Sequence, residues 1–485
     1  LRLFGLVSSR WDAVASVSIL GVVLATRLMV FPASIWEQDE AYFGCGVLRF
    51  EPLANHPHPP WFPLWIFIGK LTRGPVDDPI LGLQAASLVA SAWVLFPLVS
   101  LWSLWLRRDL AVVSSLVFLF VPGTWFLSGR AFSEPLAVAL LVLTGALCLR
   151  REPALHEVIG GSLAAAFCLL TRAHYMLPVL LLVGCRLVKS GTLRHRIVTV
   201  VPLVLVIAVG YGAVAVSAGG VVPLWGAVRS HGTYHFSELA GATLTFQGSG
   251  LARALISPGV AVAWVLAAWV GAVVLWRHRA RSLASTRMLL LVIALLVVTT
   301  HWASWGGHVR YLMPITALTS GLVVVAVARF AGRFAPALIA MTLVLVTWRA
   351  VPAAAVYRVQ TSPPVQALDA AVAEAGRLGA VIVADRTLAS FIELERLRRG
   401  LPFTVLYDDQ IGVDTPPPPE WATVAIYDAL HDEMVADAQT RRLFGCEDPW
   451  LRRLSQGRFL DMVVASQARI SLFPPNPADM TRRKP

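Results

Sequence analysis

Apolar residues run in blocks of roughly 16–25 from the N-terminus to about residue 350, each about long enough to cross the hydrocarbon core as a helix. The blocks fall near 13–33, 79–106, 109–128, 132–149, 156–171, 174–188, 197–217, 256–276, 286–304, 311–328 and 334–351. That spacing predicts about eleven transmembrane helices. The first block is long enough to remain as a span rather than be removed as a signal peptide. The stretch 60–71 is too short to cross and reads as an interfacial or re-entrant helix. Beyond Val351 the pattern changes. A junction with Pro352, Pro363 and Pro364 leads to a helix over 366–378, a strand over 380–385 and a helix over 388–399. Strands follow over 403–408 and 423–428, with a stiff proline connector at 416–419. Alternating strands and helices predict a small α/β domain. The expected architecture is a polytopic α-helical membrane protein with a small C-terminal α/β domain, divided as 1–355 and 356–485.

Composition sharpens this picture. Hydrophobic residues make up 56% of the 485 and charged residues only 14%, against about 25% charged in average globular proteins. The net charge of +12 is unevenly placed: 27 Lys/Arg and 12 Asp/Glu precede Thr361, and 14 and 17 follow it. Basic residues flanking apolar runs are the ordinary topology signal of membrane proteins, so the charge does not point to nucleic acid. With a cytoplasmic N-terminus, strict alternation puts Arg107/Arg108, Arg150/Arg151, Arg186/Lys189 and Arg329/Arg333 on the cytoplasmic side. The loops at Asp39–Glu40, Arg130–Glu134, Arg172–Tyr175, 218–255 and His301–Tyr311, and the C-terminal domain, then fall outside. Eight of the eleven histidines go with them, which fits a polar cavity opening on that face. Five cysteines make no disulfide framework. Cys148, Cys168 and Cys185 sit in or beside apolar runs as packing residues, while Cys45 and Cys446 both belong to the outer side.

Candidate chemistry gathers on that side. In Trp36-Glu37-Gln38-Asp39-Glu40-Ala41-Tyr42, two adjacent acids occupy a loop beside a span. Carboxylates there are costly unless paired or hydrated, which marks a functional site. They equally suit the first turn of a helix as caps. Arg130 and Arg310 can bind anions or snorkel from helix ends. Arg310 lies on the side poor in Lys/Arg. Glu134 before Pro135 also reads as a helix-start acid, and Arg172-Ala173-His174-Tyr175 also reads as a polar turn. His231 and His235 have the spacing of two metal ligands on one helix face, given a helix and a third ligand. The C-terminal domain has neither GxGxxG nor a P-loop, so it is not read as a nucleotide site.

Four of these stretches resemble motifs of the GT-C glycosyltransferases that use polyprenyl-phosphate sugars, specifically the aminoarabinose-transferase and protein O-mannosyltransferase group. Gln38-Asp39-Glu40-Ala41-Tyr42 resembles the acidic motif of the first external loop. His58-Pro59-Pro60-Trp61-Phe62 resembles the basic-Pro-Pro-aromatic stretch that follows, with His58 where relatives often have lysine. Arg130-Ala131-Phe132-Ser133-Glu134-Pro135-Leu136 resembles the opening of the fourth span, and Arg310-Tyr311-Leu312-Met313-Pro314 the late Arg-Tyr-Leu-x-Pro motif. The likeness covers roughly residues 10–350.

The resemblance implies transfer of a hexose or pentose, mannose or arabinose among them, from a polyprenyl-phosphate donor to a lipid, glycan or protein acceptor of the cell envelope. It implies a multi-pass protein of the plasma membrane with the site and C-terminal domain extracytoplasmic. Asp39 takes the position of the general base, with Glu40 beside it. His56, His58, Arg130, Glu134, Arg172, His174, His308, Arg310 and Tyr311 are the candidate substrate contacts, and the arginines suit phosphate because they stay charged and bind bidentately. No cofactor is fixed, and a divalent metal ion is left open. A carrier or flippase for lipid-linked glycans would share the apolar bundle and outer charges. It would be expected to show internal repeats and mid-span sites, which this sequence lacks. A membrane-anchored sensor would need only one or two spans.

Overall fold

The computed structural model describes residues 10–239, 250–277, 283–302, 308–378, 381–384 and 388–400, and the strands between 405 and 465. The chain forms two compact units. One takes the chain up to Phe31 and Phe50–Arg358; the other takes Pro32–Arg49 and everything from Val359. The acidic stretch 36–42 thus belongs with the C-terminal segment, although the apolar chain flanks it on both sides.

The first unit is helical. Four stretches are long and apolar enough to cross a membrane: Pro79–Trp102, Leu193–Ser217, Pro258–Arg277 and the multi-helix run Val309–Arg377, which continues into the second unit. Shorter apolar helices accompany them at Ser16–Leu28, Glu134–Cys148, Leu155–Thr171 and Ala284–Thr300. The protein is a polytopic helical membrane protein. Two expected spans are shorter still: 109–128 is split into Arg108–Leu119 and Pro122–Leu127, and 174–188 is Met176–Lys189. Prolines set the breaks. Pro97 has no N–H for the Trp93 carbonyl, and the helix starting at Pro79 ends at Trp93. Pro122 stops the preceding helix at Leu119 in the same way and opens the next at its first position. The stretch 60–71 lies within the helix Pro63–Val76, and the expected loop 218–255 contains a helix, Val221–Leu239.

Packing runs through small residues and aromatics. A Cβ on Gly271 would stand 1.9 Å from the Leu322 carbonyl oxygen, so Pro258–Arg277 and Met313–Ala331 meet backbone to backbone. Gly321 leaves room for the fully buried Trp102 ring in the same way. Arg27, also fully buried, clips the first helix to its neighbours. It donates to Ser91 Oγ (3.1 Å) and to the Leu119 carbonyl (2.9 Å), one of the acceptors freed where that helix stops before Pro122.

The second unit carries a five-stranded sheet in the order β2-β1-β3-β5-β4. Its strands are β1 Val381–Ala384, β2 Val405–Tyr407, β3 Thr423–Asp428, β4 Thr440–Phe444 and β5 Leu460–Ala465. The three β strands expected from sequence pair in parallel, β1 in the middle; β5 joins β3 antiparallel and brings β4 with it. Helices Pro363–Leu378 and Ala389–Arg399 belong to this unit. Against the latter packs Gln38–Leu48, burying Phe43, Cys45, Val47, Phe391 and Leu394. Cys45 is a free, buried thiol 3.8 Å from the Ser390 carbonyl. Ser362 secures the other end of the segment: its N–H donates to Ser34 Oγ at 2.7 Å and its hydroxyl to the Ile35 carbonyl. Cys446, His431 and Trp305, and the side chains of Tyr234, His235, Glu238 and His301, lie outside the described residues.

Candidate functional site

The two carboxylates of the acidic stretch differ in burial. Glu40 is fully buried, and its Oε2 accepts the backbone N–H groups of Trp36 (2.8 Å) and Glu37 (3.0 Å). Those donors precede the first helical turn, so Glu40 closes the entry of its own helix. Asp39, in the same turn, is half-buried. Glu40 therefore has the capping role, and Asp39 stands beside it in the same first turn.

In the first unit, four chain segments bring the other candidates together. Glu134 is the first residue of the helix Glu134–Cys148, where the helix dipole favours an anion. It is fully buried and paired with Arg172, and its Oε1 lies 3.7 Å from Arg310 Nε. Arg172 ends the helix Leu155–Thr171 in extended backbone and donates from Nε to Ser133 Oγ at 2.7 Å. Arg310 comes from the single 3-10 turn Val309–Leu312. Arg130 and Arg310 share the Phe132 ring, their Cζ atoms 4.5 and 5.0 Å from its centroid. All three arginines are at most 8% exposed, so none is a snorkelling flank. Guanidiniums this deep require a carboxylate and aromatic faces around them.

Aromatic rings fix the remaining geometry. Tyr311 lies under both Arg310 (4.9 Å) and Arg172 (5.6 Å), and Phe62 covers Arg172 at 4.9 Å. His174 and His308 meet Tyr311 edge-on at 5.7 and 5.8 Å, and His174 meets Tyr175 at 4.3 Å. Burial, and then the charges of Arg172 and Arg310, hold the His174 imidazole well below its ordinary 6.5. Burial likewise raises the Tyr175 phenol, with Glu134 adding to it.

Phe62 reaches its place through strained backbone. Trp61 and Phe62 both adopt left-handed conformations, φ 65° and 49°, which cost bulky residues of order 1–3 kcal/mol each. Burial of both rings and a 3.0 Å bond from Trp61 Nε1 to the Pro52 carbonyl offset that cost. His58 stands 5.2 Å from Phe62 and stacks on His231 at 5.6 Å. His56 is buried and pairs its backbone with Glu51 (N–H to O 3.1 Å, O from N–H 3.0 Å), which shapes the loop. Arg130, Glu134, Arg172, His174, His308, Arg310 and Tyr311 thus form one cluster, with His58 at its margin through Phe62. Ser133, Phe132, Phe62 and Tyr175 complete it. Each of these four sits inside a stretch that the sequence singles out, but none of them is among its candidate contacts.

His231 does lie on a helix, as a metal pair with His235 would need. Among the described residues no group of three or more His, Cys, Asp and Glu gathers to hold a metal ion. Chemically, the cluster is a preorganised set of cations at helix ends, suited to phosphate oxygens.

No family model matches the chain, and no curated protein does. Solved structures do. ArnT of Cupriavidus metallidurans bound to undecaprenyl phosphate aligns with a TM-score of 0.56 at 14% identity, over 96% of this chain and 99% of that one. The same protein in its apo state gives 0.54 at 13% identity over the same shares. The apo oligosaccharyltransferase of Archaeoglobus fulgidus gives 0.55 at 12% identity, over 85% of this chain and 69% of that one. At such identities the agreement is one of architecture, and it runs along nearly the whole chain: the protein shares the fold of ArnT and of this oligosaccharyltransferase.

Proposed function

We propose that the protein is an integral-membrane glycosyltransferase. It moves a sugar from a polyprenyl-phosphate donor to a lipid, glycan or protein acceptor of the cell envelope, on the extracytoplasmic face. The observation that carries this reading is the buried cluster in which Arg172 and Arg310 share Glu134 while Arg130 and Arg310 share Phe132. The undecaprenyl phosphate held by the similarly folded ArnT supports a lipid phosphate as the ligand class.

The lipid tail anchors the donor, so its sugar sits at the membrane surface. As the anomeric carbon–oxygen bond breaks, negative charge builds on the departing phosphate, and fixed guanidiniums lower the barrier by meeting it. Glu134 holds Arg172 and Arg310 in orientation. The acceptor hydroxyl forms the new bond at the anomeric carbon and gives its proton to Asp39, which gives direct displacement with inversion. Glu40 supports Asp39 by fixing the helix that carries it.

The test is the purified chain in nanodiscs with labelled polyprenyl-phosphate sugar and acceptor. Asp39→Asn keeps shape and most hydrogen bonds but cannot take the proton, and loss of a positioned base costs about 10²–10⁴-fold in rate. Transfer is expected to fall by at least that order with donor affinity little changed, whereas Arg310→Ala is expected to weaken donor binding. Near-normal transfer by a properly inserted Asp39→Asn protein overturns the mechanism. Relocation of the lipid without release of polyprenyl phosphate makes the protein a carrier instead.

A further inference from the structure

The helices that build the arginine–glutamate cluster carry a second gathering of cations at their other ends. Glu134–Cys148 and Leu155–Thr171 pack as an antiparallel pair, and Met176–Lys189 returns along them. Fifteen helical residues separate the two ends by about 22 Å. Arg150, just past Cys148, pairs with Glu157 and donates to Ser100 Oγ at 3.2 Å. Lys189 Nζ donates to Ser285 Oγ at 2.9 Å, and that hydroxyl donates to the Leu149 carbonyl at 3.0 Å.

Arg186 is the odd member. It is 5% exposed, yet only Nη1 makes a hydrogen bond, a long one of 3.4 Å to the Arg150 carbonyl, and its buried Nε makes none. Among the described residues no carboxylate pairs with Arg186 or Lys189. The ordinary account of such residues is that they complement the carbonyl end of their helix. That account leaves a covered guanidinium without an anion, which is costly. The surroundings are those of a bilayer boundary. Val188 and Leu193 are 86% and 72% exposed beside Lys189, and Trp105, hydrogen-bonded to Thr286 at 2.9 Å, stands next to Ser285. Exposed aliphatics, a nearby indole and cations lacking an anion among the described residues match one ligand chemistry, a phosphate carried on acyl chains.

We infer that this end of the helical unit binds the phosphate of an anionic membrane phospholipid, with Arg186 and Lys189 on its oxygens and its acyl chains along Val188 and Leu193. The full chain, delipidated in detergent, is titrated with phosphatidylglycerol and with phosphatidylcholine of the same chains, and bound lipid is counted by native mass spectrometry. A parallel arm follows thermal unfolding with inorganic phosphate. Phosphatidylglycerol is expected to bind about tenfold more tightly than phosphatidylcholine. A basic residue near a membrane surface contributes about fivefold in binding an anionic lipid. Lys189→Gln and Arg186→Gln are each expected to lower phosphatidylglycerol affinity by about that factor and phosphatidylcholine affinity, whose choline offsets its phosphate, by clearly less. Should Arg186→Gln not fold, the half-exposed Lys189→Gln decides alone. Equal binding of the two lipids, an unchanged Lys189→Gln affinity, or stabilisation by inorganic phosphate equal to that by phosphatidylglycerol each overturns the proposal.

Discussion

Glu134 stands where two different demands meet, at the start of a helix and between two buried arginines. Its sequence position beside Pro135 explained only the first, because a helix-start acid needs no partner. Removing one side of a buried ion pair leaves the other charge uncompensated, which costs about 3–5 kcal/mol. Glu134→Gln is therefore expected to lower stability by that amount in thermal unfolding. Glu157→Gln, which breaks the half-exposed pair with Arg150, is expected to cost about 1 kcal/mol or less. His174 makes a second residue-scale prediction. Its folded pKa is lowered, so the unfolded chain binds the proton more readily. The stability it contributes is fully present above about pH 6.5 and is lost as pH falls below that value. Melting temperatures measured from pH 7.5 down to 5.5 are expected to fall less steeply in His174→Asn than in wild type; identical slopes would show that another group carries the dependence. Glu40 shows what a sequence can weigh but not resolve. Capping and catalysis want the same residue type at the same place, and only the hydrogen bonds from Trp36 and Glu37 separate Glu40 from Asp39.

Elements show which signals the sequence carries. Apolar runs were legible because a membrane segment must be apolar along its length, and their interruptions were legible in principle at Pro97 and Pro122. Hydropathy averages over such residues, so 109–128 reads as a single span, while 79–106 is one membrane-length stretch, Pro79–Trp102, with a break at Val94. Val221–Leu239 is not legible as a helix in hydropathy because Gly226, Ser230, His231 and Gly232 interrupt its apolar start. In the second unit β1, β2 and β3 were visible as short apolar runs. β4, Thr-Arg-Arg-Leu-Phe, is too polar to be read alone and exists as a strand through its pairing with β5. Close helix contact is likewise silent in sequence, because Gly271 and Gly321 look like any glycine in an apolar run. Gly271→Ala places a methyl carbon against backbone that has nowhere to go, so it is expected to destabilise by about 1–3 kcal/mol. Gly184→Ala, with open space around it, is expected to be neutral or slightly stabilising through helix propensity. Equal melting temperatures for the two variants would mean that the helix pair separates without cost.

At the scale of the molecule, charge sorts the two ends of the helical unit. Arg150 reaches Ser100, a few residues before Arg107; Arg186 reaches the Arg150 carbonyl; and Lys189 reaches Ser285, which holds the Leu149 carbonyl. Arg150, Arg186 and Lys189, from two of the basic segments that alternation assigned to one side, therefore gather at one end of the helical unit. Glu134, Arg172 and Arg310 stand at the opposite ends of the same helices. A chain carrying its basic flanks at one end inserts with that end in the cytoplasm, so the arginine–glutamate cluster is expected outside. Reporter domains fused after Arg108 or Arg151 are expected to report the cytoplasm. One fused after Gln360 is expected to report the opposite side. An extracytoplasmic signal after Arg108 or Arg151 would put the arginine–glutamate cluster, and with it the donor, on the cytoplasmic leaflet. Transfer would then have to draw on a sugar-phosphate lipid that had not yet crossed the membrane, and the extracytoplasmic reaction proposed here would fail on topology alone, whatever Asp39→Asn did to its rate.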